Sequence, residues 1–232
     1  MAKSRRSRRT GHLESRPGRL IALTCPQEHT RHRPEAKAAS VPDLLAHLSN
    51  RRSLPLPALV EPGPSAEELT QILTIAARVP DHGKLAPWRF IVFSGDGAKR
   101  AGDALADLAQ SREGELSEIR RRVEETRFTR APLVVAVVST AAEHVKIPIW
   151  EQQLSAGAVC LNLIHGANAK GYAATWLTEW PAYDAEARVI LGLKPEETVA
   201  GFIHIGTPNE APSERPRPDL ADIVTHYQGP AA

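Results

Sequence analysis

A single domain in which helices alternate with strands is what this sequence predicts, and three observations carry the prediction. The length of 232 residues, with 42% hydrophobic and 24% charged residues, suits one ordinary globular core. Residues 132–138 read Pro-Leu-Val-Val-Ala-Val-Val, a continuous apolar run rich in β-branched side chains, as expected of a strand buried on both faces. Residues 150–170 place Leu154, Ala158, Leu161, Ile164 and Ala167 at three-to-four spacing, the pattern of a long helix.

The remaining elements follow along the chain. Order is expected from Ser40, a possible N-cap, with Pro42 and Asp43 in the first turn and Leu44, Leu45 and Leu48 on one helix face. Four prolines between Pro55 and Pro64 make that stretch extended. Ser65-Ala66-Glu67-Glu68 is a capping box opening a second helix with Leu69, Ile72, Leu73 and Ala76 on one face, and Pro80 stops it. Residues 88–93 read as a strand and residues 94–97 as a tight turn. Ala101, Ala104, Leu105 and Leu108 suggest a helix, and residues 111–127 a second one whose many charges form a solvated face. The long helix is taken to end at Gly171, and its Ser155, Ala156, Gly157 and Ala158 allow another helix to approach closely. A strand at 172–177, a helix at 184–191 closed by Gly192, a last strand at 199–205 and an extended arm at 213–218 complete the reading.

Composition narrows the classes. Residues 1–40 hold 10 Lys/Arg against 3 Asp/Glu, leaving 19 and 24 in the rest, so a basic arm precedes an acidic body. The arm reads as a solvated, disordered tail, and the acidic body argues against nucleic acid as the main partner. Leu20-Ile21-Ala22-Leu23 is too short for a secretory signal core, and no run of 18 apolar residues exists to span a membrane. Cys25 and Cys160 stand far apart, with no metal-ligand spacing, which suits a reducing, cytoplasmic compartment.

Few residues carry chemistry. Arg51-Arg52-Ser53 follows the first helix: two guanidinium forks and a hydroxyl suit a phosphate monoester, although the same residues also serve simply to end a helix. Arg215 or Arg217 would add charge. Arg78 and His82 flank a rigid Val79-Pro80-Asp81 segment that presents an imidazole, though a turn histidine is commonly only a surface residue. Trp88, Trp150, Trp176 and Trp180 serve either core or ligand, and Trp176-Leu177-Thr178 closes a strand where ligands often meet sheet edges. Gly95-Asp96-Gly97 lacks the third glycine of a dinucleotide fingerprint, and His144 has no partner at zinc spacing. His165 reads as structural.

In their order along the chain, residues 51–53, Arg78 to His82 with Pro87-Trp88-Arg89-Phe90, Trp150-Glu151-Gln152 with Ser155-Ala156-Gly157, Gly171-Tyr172 leading into Trp176-Leu177-Thr178, and Gly206-Thr207-Pro208 resemble the nitroreductase family, most closely its small, YdjA-like NAD(P)H nitroreductase branch. The resemblance covers about residues 41–228. It implies an α+β fold with a mixed, mainly antiparallel sheet wrapped by helices, an intertwined homodimer, and FMN in two pockets at the dimer interface. The arm would be residues 1–40 and the FMN-binding domain residues 41–232. By this resemblance Arg51, Arg52 and Ser53 hold the phosphate and ribityl chain, Trp176, Leu177 and Thr178 line the flavin, and Arg78 and His82 come from the partner subunit. Gly166, Ala167, Asn168, Ala169, Lys170 and Gly171 match the segment linked to the nicotinamide nucleotide, and Arg217 is inferred as a further phosphate ligand. The implied activity passes hydride from NADH or NADPH through FMN to a small-molecule acceptor such as a nitroaromatic or quinone, by a ping-pong course in which no side chain acts as nucleophile.

The chain departs from the wider family in two places. Pro55 stands where many members carry Lys or Arg two residues after the serine, and Lys84 and Ala86 stand where many have Asn and Gln. Lys84 is the candidate replacement cation. Two other classes fit the residues: a flavin-binding redox sensor or storage protein with little turnover, and a nucleic-acid-associated protein acting through its basic arm.

Overall fold

The computed structural model describes residues 41–229. The basic arm of residues 1–40, the Ser40 cap and Cys25 lie outside the described residues. Contacts divide the chain into two units, residues 1–48 and 49–232. The first contributes most of α1 (Val41–Asn50), on which Leu44, Leu45 and Leu48 are exposed.

In the second unit the proline-rich stretch is only partly extended. Pro57 occupies the start of a 3₁₀ turn, Leu56–Ala58, closed by the Ala58 N–H on the Pro55 carbonyl at 2.9 Å, and a two-residue strand, β1 (Leu59–Val60), follows. Helix α2 (Ala66–Ala76) opens on the predicted box: the Glu68 N–H donates to Ser65 Oγ at 3.2 Å, and the Ser65 N–H donates to the Glu68 carboxylate at 2.9 Å. It ends four residues before Pro80. Strand β2 (Trp88–Ser94) then runs straight into α3 (Gly95–Glu113), so the glycines read as a tight turn form the first turn of a helix. Packing decides this, because Ala98, Ala101 and Leu105 must reach the sheet. The charged segment breaks at Gly114, φ +84°, and resumes as α4 (Glu118–Glu125), capped by Ser117 Oγ on the Arg120 N–H.

Strand β3 (Leu133–Ser139), helix α5 (Ile149–Ala169), strand β4 (Ala173–Leu177), helix α6 (Ala185–Ile190) and strand β5 (Thr198–Pro208) fall where expected, with β5 three residues longer than predicted at its C-terminal end. The tail is extended except for one short helical turn, α7 (Leu220–Ile223). Among the described residues every strand pairing is antiparallel, in the order β1-β5-β3-β2 with β4 also on β5. Strand β3 is interior, but β5 is the hub: residues 202–206 serve β4 and residues 207–208 serve β1.

The fold is α+β, with helices on both faces of the sheet. All seven residues of β3 are buried. Val135 and Val137 pack with Ile72 of α2 and Val159 and Leu163 of α5, while Val134, Ala136 and Val138 pack with Leu105 of α3, Phe128 and Ala187 of α6. This explains the unbroken apolar run: each alternate residue feeds a different core. Among the described residues no helix is long and apolar enough to cross a membrane.

The charged segment is not merely a solvated face. Glu124 is fully buried and accepts from Arg127 at 2.6 and 2.8 Å, from Arg120, and from the Trp180 indole N–H at 3.1 Å. Arg127 also pairs with Glu179 at 2.8 Å, and Glu179 with Arg130. Burial pushes the Glu124 carboxyl up, but the hydrogen bonds from Arg127 and Arg120 hold it below the usual carboxylate range.

Candidate functional site

The site begins with the five residues after α1. Leu54 is buried and fixes the segment, and its carbonyl accepts from Thr175 Oγ1 on β4. Residues 51–53 are thereby tied to the strand that carries Trp176. Arg52 is held on its other side, where its Nε–H donates to the Ser213 carbonyl at 2.8 Å. This bond brings the C-terminal arm over the segment. Glu214 Oε1 then lies 3.7 Å from Arg52 Nε and 3.7 Å from Arg217 Nε. Partial burial, and next the charges of Arg217, Arg52 and Arg215, lower the Arg51 pKa. Four guanidinium groups and one carboxylate thus form a strongly positive patch, with the exposed Ser53 hydroxyl beside it. Such a patch suits a phosphate monoester.

At the end of β4, Trp176 is 39% exposed, and its indole N–H donates to the Ala200 carbonyl at 3.2 Å. The ring lies over Gly201, where a Cβ would come within 2.0 Å of the indole nitrogen, so only glycine lets the ring lie there. Leu177 is half-buried, and Thr178 Oγ1 accepts from the Tyr183 hydroxyl at 2.9 Å.

Arg78 and His82 sit on the turn between α2 and β2, which α5 holds from one side. Asn162 Nδ2 donates to the Ile75 and Arg78 carbonyls at 2.6 and 3.1 Å, and Ser155 Oγ donates to the Pro80 carbonyl at 2.6 Å. Of these carbonyls only that of Ile75 belongs to α2; it also accepts the Arg78 N–H at 3.0 Å, a tighter closure that ends the helix at Ala76, ahead of Pro80. Asp81 accepts from the Leu85 and Ala86 N–H groups at 3.1 and 2.9 Å, bracing Lys84 and Ala86 at φ +57° and +45°. His82 Nδ1 meets the Glu151 carboxylate at 2.8 Å, and His82, Glu151, Leu154, Ser155 and Ala158 line a concavity of about 320 Å³. Arg78 and Lys84 are exposed. The hydrogen bonds and ion pairs of residues 78–86 run to α2, to α5, to the start of β2 and to the turn itself, and among the described residues none reaches the arginine patch.

The segment 166–171 divides. Gly166 and Ala167 are buried, Gly166 so close to α2 that a Cβ would lie 3.3 Å from the Ile72 carbonyl oxygen. Asn168 Nδ2 donates to the Tyr172 carbonyl at 2.9 Å, and Ala169, Lys170 and Gly171 are exposed. Cys160 is buried, and burial pushes its thiol up to about 12, far from the range of a reactive thiolate. His144 Nδ1 accepts from the Lys146 and Ile147 N–H groups and so shapes its own loop.

Although Glu151 and Ser155 stand in the motifs that carry the resemblance, the sequence does not disclose the bonding roles of the groups that hold the site together: Thr175, Ser155, Asn162 and Glu151. The last three lie on α5, and polar residues on an otherwise apolar helix were the available signal.

Fold and residues together define a member of one known family. The family model described as Nitroreductase family matches residues 49–207, and the chain belongs to that family. It is 34% identical over 193 residues to the Escherichia coli K12 protein named "Putative NAD(P)H nitroreductase YdjA", an alignment covering 80% of this chain and all of that one. Its fold is similar to that of the nitroreductase-like family protein of Bacillus cereus, with TM-score 0.68, 21% identity, and 80% of this chain and 96% of that one covered. It is also similar to the nitroreductase with bound FMN from Bacteroides fragilis, with TM-score 0.59, 18% identity, and coverage of 80% and 99%.

Proposed function

We propose that this chain is an FMN-dependent oxidoreductase that passes hydride from NADH or NADPH to a nitroaromatic, quinone or similar conjugated acceptor, working as a homodimer. The observation that carries the reading is the patch of Arg51, Arg52, Arg215 and Arg217 tied through Leu54 and Thr175 to the strand bearing Trp176. A phosphate grip and a half-exposed aromatic edge at the end of one strand fit a phosphorylated flavin. The nicotinamide donors in the names of the relatives and the FMN bound in the Bacteroides fragilis structure support it.

When bound, FMN supplies hydride acceptance and release, and the protein needs no nucleophile of its own. Arg51, Arg52 and Arg217 hold the phosphate by charge-assisted hydrogen bonds, with the Ser53 hydroxyl adding a donor. Trp176, Leu177 and Thr178 line the ring, and the hydrogen bond to Ala200 keeps the Trp176 indole from turning. Arg78 of the partner subunit and the partner subunit's His82 complete the pocket. Support for the dimer comes from α5, which leaves Trp150, Leu154 and Leu161 exposed, Leu154 lining the same concavity as His82. Residues 166–171 take the nicotinamide nucleotide, Ala169, Lys170 and Gly171 being the part open to it. Because donor and acceptor are both flat and need the same face of the cofactor, they bind in turn, which gives ping-pong kinetics.

The absorption spectrum of the purified protein tests the reading. Flavin maxima, or their return on reconstitution with FMN, support it. A colourless protein that takes up no FMN overturns it.

A further inference from the structure

Among the described residues Glu214 is the carboxylate of the arginine patch, and its placement has a consequence for ligand affinity. Its Oε1 stands 3.7 Å from the Nε of both Arg52 and Arg217, too far for hydrogen bonds, so it neutralises charge without saturating either fork. The side chain is 64% exposed and is tied down chiefly by the Arg215 N–H at 2.8 Å. That backbone hydrogen bond, and then the charges of Arg217, Arg52 and Arg215, hold its carboxyl below the ordinary range, so it is anionic at neutral pH. By contrast, Arg52 is anchored independently of Glu214 through the Ser213 carbonyl. The arm's carboxylate therefore occupies the position of an anion without being needed to hold Arg52 in place.

We infer that Glu214 is an internal competitor for the phosphate, an affinity-setting residue that an incoming phosphomonoester displaces. The inference rests on the reading of this patch as the phosphate grip. When Glu214 swings out, the terminal guanidinium nitrogens of Arg52, whose Nε–H stays on the Ser213 carbonyl, and the Arg217 fork are left to the ligand, and the exposed side chain has solvent to swing into. The contest involves only the phosphate, so it sets the preference for FMN over riboflavin and leaves the binding of the ring itself alone.

The test titrates apoprotein of the full chain with FMN and with riboflavin, following quenching of flavin fluorescence, for wild type, Glu214→Gln, Glu214→Asp and Arg51→Ala. Glu214→Gln is expected to tighten FMN about three- to tenfold, the scale of relieving one or two exposed charge contacts, and to leave riboflavin unchanged. Glu214→Asp keeps the charge and is expected to stay within about twofold of wild type. Unchanged or weakened FMN binding by Glu214→Gln overturns the inference, the weakened case showing that the carboxylate organises the arginines. Arg51→Ala separates the two levels: equal losses for FMN and riboflavin would remove the phosphate grip itself, whereas a loss confined to FMN keeps the grip whatever Glu214 does.

Discussion

Two clusters of charge on this chain contrast with each other. On the α3 and α4 side of the sheet, Glu124, Arg127, Glu179 and Arg130 are buried or half-buried, and each carboxylate meets at least two guanidinium groups. Beside β4, Arg51, Arg52, Arg215 and Arg217 gather with, among the described residues, the single carboxylate of Glu214 between Arg52 and Arg217. The first cluster is closed. Its charges satisfy one another, the Trp180 indole donates to Glu124, and Arg127 lies 5.9 Å over the Trp180 ring. The second is open, with donors to spare at the surface. Both are rich in arginine, but in one the buried Glu124 and Arg127 force pairing, whereas the other, part-buried at Arg51 and Arg52 and exposed at Arg217 and Glu214, keeps an excess of positive charge that suits an anionic ligand.

Breaking the closed cluster has the largest expected effect. Glu124→Gln leaves Arg127 buried with one partner fewer and should cost about 3–5 kcal/mol in urea unfolding, the scale for removing one member of a buried pair. Next comes acid. His204 is buried beside the same cluster with Nδ1 unpartnered, and burial, followed by the nearby Arg130, pushes its pKa down to about 4. The unfolded chain therefore binds the proton that the folded chain refuses between about pH 6.5 and pH 4. Stability from this group is complete above that window and falls by about 3 kcal/mol on descending through it. His204→Phe should flatten that part of the profile in unfolding measured across pH.

The open cluster should respond differently. Arg51→Ala is expected to leave unfolding stability within about 0.5 kcal/mol yet weaken FMN about ten- to a hundredfold, the worth of a charge-assisted hydrogen bond, as read by flavin fluorescence. Comparable loss of stability would mean that the patch is structural like its buried counterpart. Smallest of all, Ser155→Ala removes the bond to the Pro80 carbonyl and should lower stability by about 1 kcal/mol, measurable in urea. Because Ser155 braces the turn carrying His82, the variant also reports whether that turn depends on α5.

Particular residues show where sequence reasoning succeeds. Ser65 and Glu68 form the box their spacing announces, and the run of β3 is buried throughout, because both signals are local or fill a whole element. Residue type and the family resemblance point to Arg51 and Arg52, and the tail's position and charge to Arg217; the structure places the charge of Arg217 near Arg51, and Glu214 between Arg217 and Arg52, 165 residues apart, while their hold on a phosphate is the proposal made above. For Glu124 and Arg127 the charge pattern predicts solvation and the structure shows burial, since that pattern carries no sign of the indole and the second carboxylate that close around them from residues 179 and 180. Gly95 to Gly97 have turn composition yet form a helix, since only the sheet beneath α3 makes a helix there the better choice.

By itself, then, the sequence determined the order of helices and strands, the cap of α2, the doubly buried strand and the identity of the arginines, all of which depend on periodicity or on near neighbours in the chain. Tertiary structure alone decided which charges are closed and which are open. Pairing of Arg52 with Ser213, Thr175 with Leu54 and Arg127 with Glu179 spans from 52 to 161 residues, and over such separations only the packed sheet and its helices bring partners within hydrogen-bonding reach.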